Sequence, residues 1–168
     1  MGRAVKALIA LVIAGMLALS GCSGQNPNQA ATVDGVAIPV SEVDALLPAL
    51  TPYLQTPGPG AVVSLLAVSR VGTAIAQQRG LELSTDERQA TVASLPAGLT
   101  DDPSLAGFVD DYVTTVLVSQ SLAQEDFLAA ASGVEVVVNP RFGSWDAATL
   151  QLGPGSGSLS SPAPATAG

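Results

Sequence analysis

The chain has 168 residues, of which 48% are hydrophobic and only 12% charged, about half the charge usual in a soluble domain. Six Lys and Arg against 14 Asp and Glu give a net charge of −8, which leaves no basic patch for nucleic acid, while the apolar content excludes an acidic disordered chain. Histidine is absent, which removes His-based triads and imidazole metal sites, and a single cysteine removes any disulfide within the chain.

The first segment reads as an address. Arg3 and Lys6 make a positive start, and Ala7 to Leu19 is an unbroken apolar run of 13 residues. As a helix it reaches about 20 Å, short of the ~30 Å hydrocarbon core, so a secretory leader fits better than a membrane span. Leu19-Ser20-Gly21-Cys22 then resembles the bacterial lipobox. That resemblance implies cleavage between Gly21 and Cys22 and a covalent diacylglyceryl lipid on the Cys22 sulfur, with residues 1–21 as the signal peptide. The competing reading is a plain signal peptide, or an N-terminal anchor with an incidental cysteine. Two acyl chains hold a protein stably where one does not. Cleavage would leave four arginines (70, 79, 88 and 141) against the same 14 acids, a net charge of −10. Anionic headgroups repel such a body, so the lipid has to do the holding, at the extracytoplasmic face of the cell membrane. No lysine follows Lys6, which removes a Ser–Lys dyad or a Schiff base.

Residues 22–30 read as a flexible tether and 148–168, rich in Gly, Pro, Ser and Ala, as a disordered tail, leaving 31–147 as the folded unit. Ala31 to Ile38 alternates around Asp34-Gly35, a hairpin signal. Ser41 is a candidate cap for a first helix running to about Leu54, with Pro48 as a kink. A second helix spans about Ala61 to Arg79 and closes at Gly80. Ser84-Thr85-Asp86-Glu87 is a capping box opening a third, which ends by Pro96. Asp102 caps, and Pro103 begins, a long fourth helix to about Ser132. Val134 to Val138 is β-branched and alternating, a closing strand. The expectation is a mainly α, four-helix domain whose two ends meet in a small β-sheet.

ATVDGVAIPVSEVDALL (31–47) is similar to the opening of the SurA/PrsA chaperone family, and VEVVVNPRFGSWDAATL (134–150) resembles the close of actinobacterial lipoproteins with a SurA N-terminal-like domain. The resemblance implies an extracytoplasmic chaperone-like domain that holds unfolded or exported polypeptides on apolar helical surfaces. Family members that isomerise prolyl bonds carry a parvulin domain of about 100 residues, a whole domain by size. Here Leu95 to Pro103 joins the third and fourth helices and leaves no room for one, so no catalytic residue is carried over. The alternative is an adaptor lipoprotein that docks one envelope partner.

Along the fourth helix, Leu105, Phe108, Val109, Tyr112, Val113, Val116, Ala123 and Phe127 fall on one stripe and read as core. Leu117, Val118, Leu122 and Leu128 share the outer arc with polar residues. They are either covered by another helix or exposed as a client-binding patch. Asp101-Asp102, Asp110-Asp111 and Glu125-Asp126 read as solvated surface, with no calcium-loop spacing and no metal expected. Phe142 and Trp145 are expected to pack the sheet against the helices while Arg141 pairs with an acid.

Overall fold

A computed structural model describes residues 26–153. The leader, the Gly21–Cys22 junction and residues 154–168 lie outside the described residues.

The chain opens with β1 (Gln29–Val33) and β2 (Val36–Pro39), antiparallel and joined by Asp34-Gly35. Both turn residues have positive φ, 50° and 77°, which is what a two-residue connection matching the twist of the strands demands. β3 (Val136–Val138) pairs with the other edge of β1, Ala31 opposite Val138, so the sheet order is β2-β1-β3. Its ends are fastened by Asp34 N–H to the Glu135 carbonyl at 2.7 Å and Asn139 N–H to the Ala30 carbonyl at 2.9 Å. The expected meeting of the two ends is therefore present.

Helix α1 (Val40–Leu50) follows β2 directly. Ser41 does not cap it; Pro39 occupies that position without a side-chain bond. The Val40 N–H is already taken by the Asn28 carbonyl at 2.8 Å, so a strand neighbour replaces the side-chain cap. Pro48 lies near the end of α1, which runs into a 3₁₀ turn, Thr51–Tyr53.

Helix α2 (Pro59–Arg79) is the centre of the molecule, with ten buried residues. By length and composition alone it could cross a membrane; here it packs against α1, β1 and the later helices. Gly80, at φ 60°, closes it, and the Leu81 N–H reaches back to the Ala76 carbonyl at 2.9 Å, the paired arrangement that satisfies the last carbonyls of a helix. α3 (Thr85–Ala93) is capped by Ser84, whose side chain accepts from the Glu87 N–H.

The single long fourth helix is the main correction. A short α4 (Ala97–Thr100) and a 3₁₀ turn (Pro103–Leu105, capped by Asp102) precede α5 (Ala106–Ser121), and α6 (Gln124–Ser132) is a separate helix. There are thus six α-helices among the described residues, not four. The break has local causes. Ser119 and Ser121 bond back to the carbonyls of Val116 and Val118 at 2.7 and 2.9 Å, competing with the helix ladder, and Leu122 is extended. Glu125 and Asp126, expected as plain surface, fill the acidic first turn of α6, where the helix dipole favours them.

β4 (Ser144–Asp146) and β5 (Gln151–Gly153) form a second hairpin against α2. Among the described residues regular structure spans Gln29 to Gly153 rather than 31–147, so the expected tether ends in β1 and the expected tail opens with a turn and then β5. Phe142 and Trp145 pack on the core as expected. Among the described residues Arg141 does not pair with an acid; its guanidinium lies 4.6 Å from the centre of the Phe142 ring, a cation–π contact.

Candidate functional site

The four residues expected as either covered or a client patch divide in two. Leu117 is 5% exposed and Val118 0%, while Leu122 and Leu128 are half-buried. α5 is enclosed by α2, α3 and α6, and the break at Leu122 lets the chain turn instead of carrying these residues along one outer arc. Thr114 and Thr115, on the same helix, are buried too, because each bonds across to a neighbouring element.

The polar residues bind the helices together. Arg70 on α2 places one nitrogen 2.6 and 2.8 Å from the two carboxylate oxygens of Glu42 on α1, and another 2.7 Å from the Ala37 carbonyl on β2. Its Nε is 3.9 Å from Asp111 on α5, and Thr73 donates to the other oxygen of that carboxylate at 2.9 Å. Arg88 on α3 donates to Asp110 at 2.7 Å and to Thr114 at 3.0 Å. The Asp110-Asp111 pair, expected as solvated surface, is therefore how α5 grips α2 and α3. Asp102 is solvent-facing; the Ser104 hydroxyl and then the Ser104 N–H, both bonded to it, hold its carboxyl below the ordinary value. Asp146 is lowered in the same way, first by the Ala148 N–H and then by the Thr149 side chain. Among the described residues no cluster of three or more Asp, Glu, His or Cys could hold a metal ion.

One cavity is different in kind. It has a volume of about 250 Å³ and lies between the end of α1, α2, α4 and the start of α5. Its floor is Leu50, Phe108 and Val109, which are 1%, 6% and 8% exposed. Its walls are the half-buried Leu54, Leu65, Leu95, Leu99 and Tyr112, and its lip is Tyr53 and Pro96. No charged side chain lines it, and its only polar side-chain atoms are the two tyrosine hydroxyls. Tyr53 is 43% exposed.

Each lining residue has a local reason to be there. The 3₁₀ turn and the extended Leu54 carry Tyr53 and Leu54 past the end of α1, where no helix face can bury them. Pro96 ends the segment after α3 and starts α4, which presents Leu99. Gly98 on α4 lets the Tyr53 hydroxyl approach; a Cβ there would collide with that oxygen. The rings of Phe108 and Tyr112 sit 5.9 Å apart at 37°, a tilted pair that keeps the inner wall stiff. A second, smaller cavity of about 210 Å³ shares Leu99 and Val109, so α4 stands between two hollows.

The sequence reading had placed Phe108, Val109 and Tyr112 in a closed core. The available signal for an opening was elsewhere: Tyr53, Leu54, Leu95 and Leu99 are bulky apolar residues in segments too short to have a buried face. No family model, curated protein or solved structure matches the chain.

Proposed function

We propose that the chain is a lipoprotein, anchored through lipid on Cys22 at the outer face of the cell membrane, whose helical domain is a SurA N-terminal-like, chaperone-like module without isomerase chemistry. The observation that carries the binding part of this reading is the apolar cavity between α1, α2, α4 and α5. Burying a leucine- or phenylalanine-sized side chain there contributes about 1.5–3 kcal/mol, enough for weak, releasable holding of an unfolded segment. The lipobox-like sequence supports the anchoring part, since an acidic body has no other means of staying at an anionic surface.

The test is aggregation of a slowly refolding substrate protein. At stoichiometric dose the chain suppresses light scattering, and Leu99→Asp, which puts a charge into the cavity wall from a half-buried position, abolishes the suppression while leaving the circular dichroism spectrum intact. No suppression by the wild-type chain, or equal suppression by both, overturns the reading. For the anchor, Cys22→Ala releases the protein from membranes or leaves it unprocessed; a processed, cysteine-free form still partitioning into detergent refutes it.

A further inference from the structure

We infer that the segment held in the apolar cavity is one in which an aromatic or branched side chain is flanked by basic residues. This deepens the proposed function and rests on it. The volume of about 250 Å³ exceeds the ~150 Å³ cavity that accommodates a benzene ring, so it takes one ring with an aliphatic neighbour. With no charge in the lining, selection by charge falls to the surroundings, where carboxylates outnumber arginines.

The described residues hold all 14 carboxylates, four arginines and no lysine. Three carboxylates, Glu42, Asp110 and Asp111, have an arginine partner; the other eleven have none among the described residues. The arginines are engaged as well: besides Arg70 and Arg88, Arg79 reaches the Asp126 carbonyl and Arg141 lies on Phe142. Asp101 and Asp102 follow Leu99 by two and three residues, which sets negative charge beside the wall that α4 supplies. An acidic segment is repelled before its side chain reaches the cavity, and a basic one is steered to it.

Fluorescence anisotropy with the full chain in nanodiscs of zwitterionic lipid tests this, using three labelled peptides that share a Phe-Leu centre and carry arginine, glutamine or glutamate flanks. At about 50 mM salt the arginine-flanked peptide binds roughly tenfold tighter than the glutamate-flanked one, with glutamine between, and at about 0.5 M salt the three converge as the charges are screened. Asp101→Asn with Asp102→Asn, which keeps a capping side chain at 102, narrows the spread and leaves the glutamine-flanked peptide unchanged. Equal affinity for all three at low salt overturns the inference and leaves the proposed function standing; failure to bind any of them overturns the proposed function itself. A chain that dimerises through the cavity, so that dilution is needed before peptide binds, also refutes a basic peptide as occupant.

Discussion

Replacing Gly72 by alanine tests the packing at the centre of the molecule. Gly72 on α2 faces Thr115 on α5, and a Cβ added to it would sit 2.5 Å from the Thr115 Cβ and 2.6 Å from its Cα. Thr115 cannot rotate away from a clash with its own backbone. It is also held in place, because its hydroxyl donates to the Ser69 carbonyl across the crossing at 2.7 Å. To restore the 3.4 Å of an ordinary contact, the two helices must part by about 0.8 Å. A gap of that size forfeits a quarter to a half of the dispersion well of each contact at the crossing, and overpacking of this kind costs about 1–3 kcal/mol, occasionally more. Against it stands a gain of about 1 kcal/mol, because alanine is the better helix former. With a backbone atom as the obstacle the upper end of that cost applies, so the net loss is about 2 kcal/mol, a fall in Tm of about 8 °C for a domain of this size. Urea unfolding followed by far-ultraviolet circular dichroism measures it. Gly107→Ala on α5, where an added Cβ meets nothing within 4 Å, is the control and is neutral or stabilising. Thr115→Ala does not rescue Gly72→Ala, since the Cα remains. A Gly72→Ala chain as stable as wild type would refute the close approach of α2 and α5.

Arg70→Met removes the group that joins β2, α1 and α5. Its side chain is 19% exposed and that of Glu42 29%, so the loss, discounted for solvent, is about 2 kcal/mol by chemical denaturation, and a double-mutant cycle with Glu42→Gln shows positive coupling. Asp102, with its folded-state pKa lowered by the bonds from Ser104, adds stability that is complete above the unfolded carboxylate value near 3.9 and is lost as pH falls through the lower folded value. The stability difference between wild type and Asp102→Asn is therefore present at pH 6 and vanishes in acid; a difference that grows below pH 4 would contradict the assignment.

What the sequence discloses depends on how far apart the deciding residues lie. The Asp34-Gly35 turn, the Gly80 stop, the Ser84 cap and the strand ending at Val138 are local devices, and each stands where its residues predict. The division of the long last helix was half legible. The acids at 125 and 126 are a helix-start signature, but an apolar stripe continuing to Phe127 masked the break that Ser119 and Ser121 prepare. The fate of Leu117 and Val118 was not legible, because periodicity places residues on a face without saying what covers it. The cavity was hidden for the same reason: its walls come from four elements, and only their packing leaves the space between them open. The β4–β5 hairpin was not legible because its strands, Ser144–Asp146 and Gln151–Gly153, are three residues each and have almost no pattern to read.

The position of β1 in the middle of its sheet sets a timetable. Gln29 and Asn139, which join by a hydrogen bond beside the β1–β3 pairing, are 110 residues apart, so β1 waits for nearly the whole domain to be delivered before its second edge is covered. Until β3 arrives only one edge of β1 is paired, and no earlier segment completes the sheet. A chain truncated before Val136 therefore keeps one edge of β1 permanently open, so a loss at one end leaves a defect at the other.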